Sequence, residues 1–201
     1  MGGETLIDWT RRYGFGEKTG IELWREESPG LVPDDAWKRE NIGEKWFPGD
    51  SINMSIGQGF LLGSPLQVAV MFAVVANGGD RVTPHLLQNG KPDSEWRTSL
   101  EISDATMRVL EQGARQVITS GTGVGVNSPM VPLAGKSGTA EDPPRLSHAW
   151  FGAYGPYGDP QRPPEIVVVA FGENSGGGGG KTTGPIVREI LEAYFELYPY
   201  P

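Results

Sequence analysis

Cysteine is absent from the 201 residues. That excludes disulfides and cysteine-ligated metal sites, and it suits an extracytoplasmic or a cytosolic protein alike. Histidine occurs only at positions 85 and 148, too far apart in sequence to suggest a metal motif. Positive charge is in short supply: 17 Lys and Arg against 25 Asp and Glu give a formal net charge of −8, with no basic block to contact nucleic acid. Long apolar runs are missing too. The longest, "VAVMFAVVA" at 68–76, has nine residues, far short of a membrane span. The opening "MGGETLIDWTRR" has no apolar stretch of the kind a signal peptide carries.

Glycine and proline are plentiful, 30 and 17 residues. The length suits one domain with a real core, rich in turns and short strands. "GGETLIDWTRRYGFG" predicts a helix with Leu6, Trp9 and Tyr13 at near-helical spacing, ended by Gly14 and Gly16. Residues 24–50, with three prolines and scattered charge, read as a long irregular segment. "GSPLQVAVMFAVVANGG" is the clearest helix. Ser64 stands at the N-cap, Pro65 at the first helical position, and Gln67 completes a capping box. Asn77-Gly78-Gly79 supplies the stop, and apolar residues on nearly every side predict burial. A second helix is expected from about Ser103 to Ile118, with Met107, Leu110, Ala114 and Val117 on one stripe. Three strands should follow, in "MVPLAGKSGTAE", "HAWFGAYGP" and "EIVVVAFGE". Glycines 176–180 read as a flexible loop before a helix opened by Pro185. Neighbouring strands with helices before and after imply an α+β fold, an antiparallel sheet packed by helices.

"LAGKSGTAE" (133–141) is the stretch with chemical content. A phosphate-binding loop would need glycine at position 130, where the chain has Met130, and a helix next, where it has Gly138 and then Pro143 and Pro144. On a strand, Lys136 and Gly138 point to one face, and Ser137 and Thr139 to the other. A lysine, two hydroxyls and a bare backbone could bind an anionic peptide C-terminus; an ordinary strand with a glycine bulge would look the same.

The stretch resembles the Lys-Thr/Ser-Gly signature of the penicillin-binding transpeptidases. Its surroundings resemble the same family. "YGFGEKTGIEL" matches an early segment, and "GDSINMSIGQGFLLGSPLQVAVMFAVVANGG" is similar to the Gly-Gln-Gly segment and the buried helix behind it, with Ser64 where Thr is more usual. "HAWFGAYGP" and "FGENSGGGGGKTTGPIVREILEAYF" resemble the later strands, glycine turn and C-terminal helix. The likeness runs in order from about residue 5 to 196. Ala140 and His-Ala-Trp-Phe look most like the monofunctional class B enzymes of cell elongation. The fold this implies is the β-lactamase/transpeptidase-like one, incomplete at its N-terminal side.

In that family the nucleophile belongs to Ser-x-x-Lys, and no serine here has lysine three residues on. The nearest approach, Ser94-Glu-Trp-Arg97, lies in a polar loop. Ser51-Ile52-Asn53 imitates the second signature, Ser-x-Asn, but falls after "TGIEL" rather than before it. Lys181-Thr182-Thr183-Gly184 imitates the third but precedes the last helix. The expectation is that 1–201 form the C-terminal part of a transpeptidase domain, with both missing signatures and any membrane anchor upstream.

For the complete enzyme the resemblance implies attack by a lysine-activated serine on a D-Ala-D-Ala stem peptide, an acyl-enzyme, and transfer to a neighbouring amino group, with β-lactams trapping the same serine. Lys136 would then supply positive potential, and Ser137, Gly138 and Thr139 would bind the substrate carboxylate, with the Thr139 N–H as one oxyanion donor. Gln58 and Gly59 would support the sheet, Trp150 and Phe151 would be core, and His148 could be structural or line the site. The resemblance implies no cofactor or metal and no nucleic-acid partner. It implies stem peptide, β-lactams and the missing N-terminal part or a partner chain as partners, and an extracytoplasmic location. The competing readings are a non-catalytic truncated product or scaffold fragment, and a β-lactamase or β-lactam sensor.

Overall fold

The computed structural model of the protein describes residues 3–23, 25–87 and 93–200. The chain divides into two compact units, one made of residues 1–70 and 81–100, the other of 71–80 and 101–201.

In the first unit α1 (Gly3–Arg12) and α3 (Pro48–Ser55) pack together, burying Ile7 and Met54 with Val32. The segment expected to be irregular holds α2 (Asp35–Ile42) and the start of α3. Both are specified by their ends rather than by apolar periodicity. Asp34 Oδ1 accepts from Trp37 N at 2.8 Å, and left-handed Gly43 closes α2 by donating to the Arg39 carbonyl. Asp50 Oδ2 accepts from Phe47 N and from buried Lys38 Nζ, both at 2.7 Å.

The apolar helix is α4 (Pro65–Ala76). Its capping box is present: Gln67 N donates to Ser64 Oγ at 3.2 Å, and Ser64 N to Gln67 Oε1 at 2.9 Å. Buried Gln67 turns its amide nitrogen to the carbonyls of Gly14, Glu17 and Pro29, at 3.2, 2.8 and 2.8 Å. Two short strands, β1 (Asp80–Val82) and β2 (Arg97–Ser99), pair after it.

The second unit is built on three antiparallel strands in the order β3 (Ala134–Ala140), β4 (His148–Gly155), β5 (Ile166–Gly172). The three strands expected from the sequence therefore form one sheet. Phe151 and Ala153 point from β4 into a core with Ile118, Val126, Val131, Leu133, Val187, Leu191 and Phe195. The helices supplying it are α5 (Asp104–Ser120) and α7 (Gly184–Leu197), the latter opened by Pro185. On the opposite sheet face a Cβ at Gly152 would overlap the ring of Phe72. The buried line of α5 departs from the expected one at Leu110, which is exposed, while Met107 and Ile118 are buried and Ala114 and Val117 are half-buried. Glu111 and Arg115 also turn inward, which breaks the apolar pattern: burial raises the Glu111 pKa, and Arg115 Nη1 donates to the Leu133 carbonyl.

Of the aromatic pair expected in the core, Phe151 is there, with no exposed surface. Trp150 is half-buried on the other face, 4.3 Å between ring centroids from Phe171. Adjacent strand residues cannot share a face. Nor do the last three glycines form a loose loop. Gly179 is buried and opens the one-turn helix α6 (Gly179–Thr182).

Candidate active-site strand

Strand β3 is an edge. It pairs only with β4 among the described residues, so alternate N–H and C=O groups face away from the sheet. Ser137 stands opposite Phe151 and Thr139 opposite Ala149; Lys136 stands opposite Gly152 and Gly138 opposite Trp150. Lysine and glycine therefore share one face and the two hydroxyls the other, the alternation expected of the extended chain. Lys136 is exposed, and its ammonium donates to the Ser137 carbonyl at 2.7 Å.

Two segments far away in sequence close on these residues. The first is the turn after α5, where Thr122 Oγ1 lies 2.5 Å from Ser137 Oγ. Either oxygen can be the donor, so each hydroxyl fixes the rotamer of the other. The second is the glycine run. A Cβ at Gly178 would sit 3.8 Å from Thr139 Oγ1. A Cβ at Gly179 would collide with the carbonyls of Trp150 and Gly138, and one at Gly180 with the carbonyl of Thr122. Glycine is needed here for close approach of backbone to backbone. Residues 122–123, 137–139 and 178–180 thus meet around two hydroxyls, an exposed ammonium and an open strand edge. Such a group can take a carboxylate: hydroxyls and edge N–H groups donate to it, and the lysine supplies charge.

Lys136, Ser137, Gly138 and Thr139 come together as a contiguous strand must. Thr122 and Gly178–Gly180 are the members that sequence reasoning missed. The only local hint is a threonine between glycines in "SGTGVG".

The imitating motifs do not supply the site hydroxyls. Ser51 is inside α3, and its hydroxyl accepts from Trp46 Nε1 at 2.8 Å. Thr183 is buried, its hydroxyl donating to the Gly179 carbonyl. The side chain of Ser94 lies outside the described residues. Gln58 and Gly59 form the turn after α3, where Gln58 N donates to the Asn53 carbonyl and Gly59 takes φ +77°. They belong to the first unit, not to the three-stranded sheet. His148, at the start of β4, does not join the hydroxyls. Its Nδ1 accepts from Asn174 N at 2.9 Å, and its Nε2 faces Asp142 Oδ2 at 3.3 Å.

Comparison with known proteins follows the same outline. The family model for the penicillin binding protein transpeptidase domain matches residues 1–192. The peptidoglycan D,D-transpeptidase MrdA of Acinetobacter baumannii is 33% identical over 211 residues, covering 92% of this chain and 31% of that protein. A crystal structure of Pseudomonas aeruginosa PBP2 in complex with WCK 5153 superposes with a TM-score of 0.83 at 30% identity, covering 96% of this chain and 43% of that one. PBP2 in a complex with MreC from Helicobacter pylori gives a TM-score of 0.82 at 31% identity, covering 98% and 37%. The chain spans about a third of the length of the curated relatives it matches.

Proposed function

The chain belongs to the penicillin-binding protein transpeptidase family, and from that membership we propose that it supplies the substrate-carboxylate wall of a peptidoglycan D,D-transpeptidase. The observation that carries this reading is the meeting of Thr122, Ser137 and Thr139 beside Lys136 on an open strand edge.

In the proposed reaction the terminal carboxylate of a D-Ala-D-Ala stem lies against the Ser137 and Thr139 hydroxyls, with Lys136 supplying positive potential. The Thr139 N–H is one oxyanion donor; removing such a donor costs about 3–4 kcal/mol of transition-state stabilisation. The nucleophilic serine and its lysine, absent from these 201 residues, come from a preceding segment or a partner chain. The serine attacks the carbonyl of the penultimate D-Ala, terminal D-Ala leaves, and an amino group of a second stem takes the acyl group. β-Lactams would occupy the same wall through their carboxylate. The work would be done outside the cytoplasmic membrane, with anchorage from outside this sequence; among the described residues no helix is long and apolar enough to cross a membrane.

Two measurements on the chain test the proposal. N-acetyl-D-Ala-D-Ala should shift the amide resonances of Ser137–Thr139, and its C-terminal amide should not. Equal shifts from both compounds would remove the carboxylate from the assignment. Fluorescent penicillin followed by denaturing electrophoresis should give no covalent band. A band lost on Ser137→Ala would place the nucleophile on this strand and overturn the division of labour.

A further inference from the structure

Beyond Ala140 the site strand runs into the turn 141–147, and this turn is tied to the segment that follows β5 by the imidazole of His148 and by direct hydrogen bonds from Asn174 and Gly176. His148 Nδ1 accepts the backbone N–H of Asn174 at 2.9 Å. A ring nitrogen that accepts carries no proton, so in this arrangement Nε2 holds the hydrogen and points it at Asp142 Oδ2, 3.3 Å away. Asn174 takes the left-handed conformation, φ +45°, which aims both its amides back at the turn. Its Nδ2 donates to Asp142 Oδ2 at 3.0 Å and to the Leu146 carbonyl at 2.7 Å. Gly176 N adds a bond to the Ser147 carbonyl at 3.0 Å. Two residues further on, a Cβ at Gly178 would sit 3.8 Å from Thr139 Oγ1. The path from imidazole to site hydroxyl is one hydrogen bond, the 174–178 backbone and one non-bonded approach.

We propose that His148 is a positioning residue: as neutral imidazole it latches the 174–178 segment to the 141–147 turn, and its protonation releases that latch. The charged groups around the ring are Asp142 and Arg145, ion-paired on the turn at 2.8 Å. From β5 it meets the ring of Phe171, centroids 5.2 Å apart, and from the following turn the Asn174 N–H. A proton on Nδ1 would set N–H against N–H and leave the Asn174 amide without an acceptor. The link from latch to substrate rests on the function proposed above; the latch itself does not.

Amide hydrogen exchange, corrected for its intrinsic pH dependence, tests this on the chain between about pH 8 and pH 5, the interval in which histidines exchange their proton. Protection of Asn174 and Gly176 should fall roughly tenfold in wild type, as for one lost hydrogen bond. His148→Asn keeps an acceptor near the Nδ1 position but cannot titrate, so its protection should stay level with pH. His148→Gln keeps the reach to Asp142 but not the acceptor, and should be open throughout. Protection constant with pH in wild type, or an equal fall in His148→Asn, would overturn the proposal. N-acetyl-D-Ala-D-Ala titration at the two pH values separates the readings. Weaker binding at pH 5 that His148→Asn abolishes ties the latch to the site. Undiminished binding at pH 5 with the latch open would break that tie. No binding at either pH would sink the substrate assignment while leaving the exchange result standing.

Discussion

Thr122 and Ser137, fifteen residues apart, share a single 2.5 Å hydrogen bond between their hydroxyl oxygens. Thr122→Val keeps the shape and removes the bond. It should weaken N-acetyl-D-Ala-D-Ala binding about five- to tenfold, the equivalent of one hydrogen bond, with little change in melting temperature. Thr122→Ser should restore it. In a Ser137→Ala background Thr122→Val should have no further effect if the threonine acts through the serine, which a double-mutant cycle reads directly.

The start of α4 gives a stability test. Ser64→Ala removes one half of the Ser64–Gln67 capping box, and the urea midpoint should fall by the equivalent of about 1 kcal/mol. An unchanged midpoint would count against the observed helix start.

Two glycines should respond in opposite directions. Gly113 lies inside α5 with open space where a Cβ would go, so Gly113→Ala should stabilise by about 0.5–1 kcal/mol. Gly179→Ala would drive a methyl into two carbonyl oxygens and should destabilise by more than that gain, with broadened resonances at Thr122 and Thr139. Parallel thermal melts of the two variants decide the matter.

Acid should loosen the first unit through Asp50. The Lys38 ammonium, and after it the Phe47 N–H, hold its carboxyl below the usual carboxylate range. A depressed folded pKa means stability that is present above the ordinary value of about 3.9 and lost as pH falls through the folded one. Glu111 runs the other way: burial raises it, so its contribution is favourable at low pH and lost as pH rises through the folded value. Urea midpoints should therefore show Asp50→Asn weaker than wild type at pH 7, with the gap closing below about pH 4. A gap independent of pH would remove the Lys38–Asp50 pair from the explanation.

The sheet, α4 and α7 were legible because their signals are strong and local: β-branched runs, a complete capping box, a proline at the helix start. Helices α2 and α3 were not, because capping by Asp34 and Asp50 does what apolar spacing does elsewhere. Along α5 the stripe holds at Met107, Ala114 and Val117 and fails at Leu110, because Glu111 and Arg115 take inward positions that a hydrophobic pattern assigns to solvent. In the candidate site the contiguous strand could be read directly. Thr122 and the glycine turn could not, since their role exists only after segments 15 to 40 residues away fold onto β3. Glycine reads as freedom in a sequence; at Gly179 and Gly180 it is the absence of a side chain where two backbones touch.

The Gln67 amide, enclosed by the carbonyls of Gly14, Glu17 and Pro29, makes the first unit vulnerable to chemical ageing at one atom. Hydrolysis of that amide to a carboxylate would preserve the outline of the side chain and reverse its meaning. An oxygen would face three oxygens, and Oε1 would still be committed to the Ser64 N–H. No rotation about the terminal bond could repair the mismatch. Only 1% of the residue is exposed, so the mismatch could not be relieved by turning the group to solvent.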